Sequence, residues 1–232
     1  MMPTRIRSVC LPALAVLAMA GLVSACGGTA SNGEASKRPD QILGDAQAAS
    51  AGARSVRVSG SNSSGGSPIK LDVVAGKGAG GGTVTPGGAT LQVVLAKDTV
   101  YLMGDQATMS RLGAAGATNL PPDKWLRDSA SDLGVATVVR LLDITSLLRS
   151  FAPQGTLSKS STTSLNHASV IPLVDNVGGA TLYVAATGKP YILGIKTGQG
   201  GAGTVLFTDY GTAKVPAAPT DSVDLRQLLT PR

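Results

Sequence analysis

Two hydrophobic spacings alternate along the chain and divide it into blocks. Pro39 and Asp40 stand as helix-start residues ahead of Ile42, Leu43, Ala46 and Ala49, which fall on one side of a helical wheel. That spacing predicts a helix from about Asp40 to Ala53. The period then drops to two. Val56 and Val58 in "SVRVSG", Ile69, Leu71 and Val73 in "IKLDVVA", Leu91, Val93 and Leu95 in "ATLQVVLA", and Val100 and Leu102 in "TVYLMG" each line one face of a strand. Turns containing Gly, Ser and Asp separate these runs at hairpin spacing, which predicts an antiparallel meander.

Residues 105–150 change character. "DQATMSRLG" predicts one or two helical turns, and "LPPDKWLRD" a loop ending near the lone Trp125. In "LGVATVVRLLDITSLLRSF", Val135, Val138, Val139, Leu142, Leu147, Leu148 and Phe151 recur at helical spacings, with a break expected near Asp143. Strands return in "GTLSKSST", "HASVIPLV", "ATLYVAA", "YILGIKT" and "GTVLFTDY", and "DSVDLRQLL" adds a short helical turn. The order of elements predicts an α+β domain over residues 39–232, with one large antiparallel sheet and helices on one of its faces.

The first 38 residues belong to neither pattern. Arg5 and Arg7 precede the uncharged run "LPALAVLAMAGLV", the form of a secretory signal over residues 1–25. The run falls short of the ~20 apolar residues a membrane-spanning helix needs, and Pro12 interrupts it. Val23, Ser24 and Ala25 lead directly into Cys26, an arrangement that looks like the lipobox of bacterial lipoproteins, in which the thiol is linked to diacylglycerol. Burial of acyl chains contributes ~0.8 kcal/mol per methylene, and two chains anchor stably where one is marginal. Cys26 is therefore the predicted lipidation site, on the outer face of the cell membrane. "GGTASNGEASKR" after it reads as a flexible tether completing residues 26–38, with an r.m.s. span of roughly 20 Å.

Composition closes several routes. Cys10 leaves with the leader and Cys26 is alkylated, so cysteine catalysis and cysteine-based metal sites are ruled out. Without the leader's two arginines, 18 basic residues remain against 14 acidic, a net +4. They are scattered, with no basic stripe of interleaved aromatics, which argues against nucleic acid as a partner. Two G-x-G-x-x-G matches, at Gly76, Gly78 and Gly81 and at Gly198, Gly200 and Gly203, are each followed by a strand pattern rather than the helix a dinucleotide loop opens. They read as hairpin loops. His167 is the single histidine; no G-x-S-x-G elbow accompanies it, and "NHASVI" predicts a turn or strand-edge residue. No carboxylate pair suggests glycosidase chemistry. The expectation is a non-enzymatic chain without cofactor or metal.

The C-terminal third carries the most specific pattern. T-L-Y-V-A (Thr181–Ala185), G-K-P-Y (Gly188–Tyr191), F-T-D-Y-G (Phe207–Gly211) and the closing "VPAAPTDSVDL" resemble the LppX/LprAFG family of actinobacterial envelope lipoproteins. Upstream, "SVRVSG", the glycine hairpin, "TVYLMG" and "DKWL" fall in the expected order, so the resemblance spans nearly all of residues 40–229. Two departures bear on the ligand: Asn166-His167 replaces a common Asn-Gly turn, and Ile192-Leu193-Gly194 replaces a commonly more basic stretch. The resemblance implies a LolA-like half-barrel, a strongly bent antiparallel sheet whose concave face is covered by helices. It implies further that acyl chains of a lipid or glycolipid lie between sheet and helices, in a monomeric carrier that works across the periplasm, with an envelope transporter as a further partner. The predicted lining is Leu71, Val73, Leu91, Val93, Leu95, Val100 and Leu102 from the first half-sheet. Val138, Leu142, Leu147 and Leu148 come from the helical cover, and Leu182, Val184 and Ile195 from the second half. The alternative is a closed core in a lipoprotein that acts as a protein-interaction module. The same residues would line either one.

Overall fold

The computed structural model describes residues 30–64, 67–110, 123–132, 135–150, 152–198 and 201–229. After a 3-10 turn at Glu34–Ser36 the chain forms α1 (Pro39–Gly52) and then five strands: β1 (Ser55–Ser64), β2 (Ser67–Gly76), β3 (Ala79–Pro86), β4 (Leu91–Ala96) and β5 (Thr99–Gly104). A turn of helix α2 (Gln106–Met109), strand β6 (Trp125–Ser129) and helices α3 (Ala136–Leu142) and α4 (Ile144–Ser150) follow. The second half comprises β7 (Leu157–Lys159), β8 (Thr163–Leu165), β9 (Ala168–Asp175), β10 (Thr181–Ala185), β11 (Ile192–Lys196) and β12 (Gly201–Thr208). It ends with β13 (Ser222–Asp224) and α5 (Leu225–Leu229).

The thirteen strands among the described residues belong to one curved, open sheet in the order β13-β6-β5-β4-β3-β2-β1-β12-β11-β10-β9-β7, with β8 also paired to β9. Two meanders are thus joined where β1 meets β12. The predicted alternation is what the register uses. One row of directly paired residues runs Leu173–Leu182–Ile195–Val205–Gly60–Leu71–Val84–Leu91 across eight strands. A neighbouring row runs Phe207–Val58–Val73–Gly82–Val93–Leu102–Leu126. Each row lacks a side chain at one point, Gly60 (φ 141°) or Gly82 (φ 147°). A Cβ at either would run into the carbonyl of the neighbouring strand, Thr204 or Asp72. Glycine here lets the strand kink, the usual means of bending a sheet.

The helices bury their apolar faces against these rows, and sheet and helix residues form one hydrophobic cluster. Helix α1 begins at Pro39, with the Gln41 side chain accepting the Arg38 N–H at 3.2 Å, and buries Ile42, Ala46 and Ser50. The break expected near Asp143 is present. Its Oδ1 accepts the Ser146 N–H at 2.8 Å, capping α4, while Oδ2 accepts the Gly78 N–H at 3.2 Å from the β2–β3 turn. One carboxylate therefore starts α4 and fixes the helical cover to the sheet.

Several expectations are corrected. The sheet is mixed rather than wholly antiparallel, because β13 pairs parallel to β6. "LPPDKWLRD" is not all loop: β6 starts at Trp125. The first glycine match is only in part a hairpin loop, since Gly81 lies within β3; in the second, Gly203 lies within β12. Ile69 shares the face of Leu71 but is 40% exposed at the sheet's end. The tether is shorter than its polar sequence suggests. Ser31 bridges to Thr187, Asn32 donates from its side chain to the Ala185 carbonyl at 2.9 Å, and Glu34 is buried beside Lys37. Lys159 Nζ donates to the carbonyls of Ala35 and Lys37, both at 2.7 Å. Polar side chains hold this segment, so it leaves no hydrophobic signature. Cys26, Phe151 and the leader lie outside the described residues.

Candidate functional site

Every predicted lining residue, from Leu71 to Ile195, is buried in the single core cluster. They separate by location. Leu71, Val73, Leu91, Val93 and Leu95 lie on β2 and β4 under the helical cover, where α3 packs on β2, β3 and β4 and α4 on β2, while Val100 and Leu102 continue the same core on β5. Leu142 and Leu147 are wholly inaccessible there, with Val138 and Leu148 nearly so. Val184 is wholly buried in the second half. Leu182 and Ile195 do something different: they line a cavity of about 170 Å3.

This partly open cavity lies beneath β9–β12, bordered by the end of α4 and the segment after it. Its apolar floor is the first cross-strand row, Leu173, Leu182, Ile195 and Val205, with Leu157 from β7. Those four sheet residues sit at one register because consecutive side chains along each strand face opposite sides. Sequence periodicity found Leu182 and Ile195 for that reason. It missed Leu173 and Val205, which lie in strands recognised only as apolar runs.

Polar groups rim the cavity, and several of them are bonded within the protein. Asn62 Oδ1 accepts the Thr197 hydroxyl at 3.2 Å. Asp175, the charged residue of the lining, is buried, and its two oxygens accept the N–H groups of Gln154 (2.8 Å) and Val177 (2.9 Å). These backbone donors, Gln154 first, hold the Asp175 carboxyl below its ordinary value of 3.8. A satisfied carboxylate at the rim with hydrocarbon behind it suits an apolar or amphiphilic guest.

The motifs that carried the resemblance turn out to be architectural. Tyr191 of G-K-P-Y stacks on Tyr210 of F-T-D-Y-G, with ring centroids 4.1 Å apart and planes 6° from parallel. Tyr210 donates its O–H to the Ile192 carbonyl at 2.7 Å, and the Ile192 N–H donates to Ser50 Oγ at 3.0 Å. Ile192 sits where the β10–β11 register shifts, so the two motifs satisfy a bulged backbone and fasten α1 over the sheet. Burial pushes the Tyr210 hydroxyl well above its ordinary value, so it stays a neutral donor. His167 is an exposed turn residue: Asn166 (φ 46°) and His167 (φ 66°) make a two-residue hairpin between β8 and β9.

No protein-family model matches the chain, and no curated protein is significantly similar to it in sequence. Among solved structures, LprF from Mycobacterium bovis superposes with a TM-score of 0.52 over 77% of this chain and 96% of that one, at 12% identity. The lipoprotein LppX from Mycobacterium tuberculosis aligns over 76% of this chain and 99% of that one, at 14% identity and a TM-score of 0.47. Among the described residues the class is set by architecture: a curved, open sheet of thirteen strands with few helices. In particular, the chain has the LprF fold. The expected bent-sheet architecture is met, with the parallel β13 edge as its departure. Among the described residues, no helix is long and apolar enough to cross a membrane.

Proposed function

We propose that this chain is a non-enzymatic envelope lipoprotein, anchored through Cys26, that takes acyl chains of a lipid or glycolipid and carries them between membranes. The observation that carries this reading is the apolar cavity between Leu173, Leu182, Ile195 and Val205 on an LprF-type sheet. Its size decides what it accepts. A cavity of about 150 Å3 lined by aliphatic and aromatic side chains binds benzene. At about 170 Å3 this one takes a chain end of about six carbons, worth ~5 kcal/mol at ~0.8 kcal/mol per methylene. A complete lipid needs more room, so carriage requires the cover to move outward or part of the ligand to remain outside.

The test is the full chain purified from the membrane of its own host, with bound lipid identified by native mass spectrometry. Acyl lipid in stoichiometric amount is the expected result; a chain that never holds any would overturn the carrier. For the anchor, Cys26→Ala is expected to move the protein from the detergent phase to the aqueous phase on phase partitioning. Unchanged partitioning would remove lipidation. A second reading, a filled-core interaction module, draws on the complete burial of Leu142 and Leu147 on the helical cover and of Val93 and Val100 on the sheet.

A further inference from the structure

Two cavities meet back to back across one short stretch of backbone. The inner cavity and an open outer groove of about 490 Å3 share Ala152, Pro153 and Leu157 as a common wall. The groove is completed by the first turns of α1, with Pro39 and Leu43 beside Asp40 and Gln47. Residues 152–157 are therefore a wall one chain thick shared by a partly open apolar cavity and an amphipathic groove. The interior has room for a chain end but none for a head group. The groove presents Asp40, Gln47 and Thr156 next to Leu43 and Leu157. An amphiphile matches both compartments at once.

The partition is fastened by hydrogen bonds more than by packing. Ala152, Gln154 and Thr156 are exposed, Pro153 and Gly155 half-buried, and regular pairing begins only at Leu157. Asp175 holds the Gln154 N–H with one oxygen and, with the other, the Val177 N–H of the turn after β9. The Thr156 carbonyl accepts the Asn176 N–H at 3.0 Å, and its hydroxyl accepts the Asn176 side chain at 3.2 Å. A segment with little buried apolar surface opens locally at low cost. Asp175 concentrates what resists that opening.

Resting on the acyl-chain reading above, we infer that residues 152–157 are a door between two compartments of one amphiphile site. The chain end passes inward from the groove, the polar end stays beside Asp40 and Gln47, and Asp175 is the latch.

A reversible crosslink tests the door. A Cβ built at Gly155 stands 2.9 Å from Val177 Cβ, short of the ~3.5–4.5 Å of a disulfide, so the bridge forms once the two backbones ease apart by roughly 1 Å. The full chain carrying Gly155→Cys and Val177→Cys is reconstituted in phosphatidylcholine vesicles and given a diazirine-bearing palmitic acid. Photolabelled peptides are then mapped by mass spectrometry over time. In the wild type and the reduced variant, label is expected on the inner strands at Leu182 and Ile195 and on α1 at Leu43. On oxidation the inner label should fall at least tenfold while the α1 label persists, and reductant should restore it. Equal inner labelling in oxidised and reduced protein overturns the door and leaves the acyl-chain reading standing. No inner label in the wild type overturns both. Asp175→Asn keeps the side chain's size but turns one acceptor into a donor facing an N–H. It should speed inner labelling about tenfold, the effect of one charge-assisted hydrogen bond lost from the closed state; an unchanged rate removes Asp175 as the latch.

Discussion

At Leu142 and Ile195 the same substitution meets opposite surroundings. Leu142 is wholly buried on the core-facing side of the helical cover, whereas Ile195 lines the cavity. Leu142→Trp overpacks a filled core and is expected to cost ~1–3 kcal/mol or more. Ile195→Trp places its ring in existing space, so it should leave the melting midpoint nearly unchanged and reduce the acyl lipid that co-purifies. Thermal unfolding and lipid extraction on both variants check this, and equal destabilisation would mean that the cavity is not free to be filled. Asp175 gives a second prediction at this scale, set by pH. Its carboxyl is held below 3.8 by backbone donors, so the stability it contributes is complete above that value and fades as pH falls through the lower folded value. The stability difference between wild type and Asp175→Asn should be constant near neutrality and shrink below pH 3.8. A difference that persists in strong acid would show that the substitution acts by some route other than the lost charge. His167→Gly supplies a third. Glycine adopts the positive φ of this turn without strain, so stability should hold or rise by up to about 1 kcal/mol, with lipid binding intact. Loss of a hydrolytic activity in this variant would overturn the non-enzyme reading.

Among the elements, the bends decide whether the strands form one curved surface. Gly82 pairs with Val73 on one side and Val93 on the other, at a φ no side chain takes comfortably. Gly82→Ala is expected to cost more than about 1 kcal/mol, and to lower the melting midpoint accordingly, because the strand must flatten or the β2–β3 ladder must part. A neutral Gly82→Ala would mean that the sheet's curvature comes from elsewhere. The same glycines explain what the sequence hid. Strands β1, β2, β4 and β5 were legible because Val, Leu and Ile alternate with polar residues along them. Strand β3, "AGGGTVTP", contributes only Val84 to the first row and nothing to the second at Gly82, so no period marks it. Strand β6 was obscured by the prolines ahead of it, and β13 pairs through only three residues, Ser222–Asp224, too few to show a pattern. The helix break at Asp143 was legible, since a carboxylate within an apolar helical run favours a cap. The cavity was legible in part. Periodicity names the residues that face inward, but packing decides which of them touch empty space, and packing depends on helices that strand periodicity does not report.

Across the whole molecule, the N-terminal segment decides how the site stands relative to a membrane. Twelve free residues after Cys26 would reach about 43 Å fully extended, at ~3.6 Å per residue. The chain is instead fixed from Ser31 onward, bridged to Thr187 and held by Lys159, and it runs directly into Pro39 and Asp40 at the outer groove. Five residues from Cys26 to Ser31 span at most about 18 Å. A lipid-anchored Cys26 would therefore keep the groove close to the bilayer, where an acyl chain leaving the membrane crosses little water before meeting Leu43 and Leu157. Each exposed methylene costs ~0.8 kcal/mol, so a gap of even a few carbons slows transfer severely. Inserting a twenty-residue Gly/Ser linker between Ala30 and Ser31 adds an r.m.s. span of about 25 Å. The insertion leaves every described contact of the domain in place. Photolabelling at Leu182 and Ile195 by a probe dissolved in the vesicle membrane should slow, while labelling by the same probe delivered from albumin in solution should not. If both routes slow together, the insertion has damaged the site itself. If neither slows, the short connection has no part in uptake, and the chain collects its ligand from solution or from another carrier.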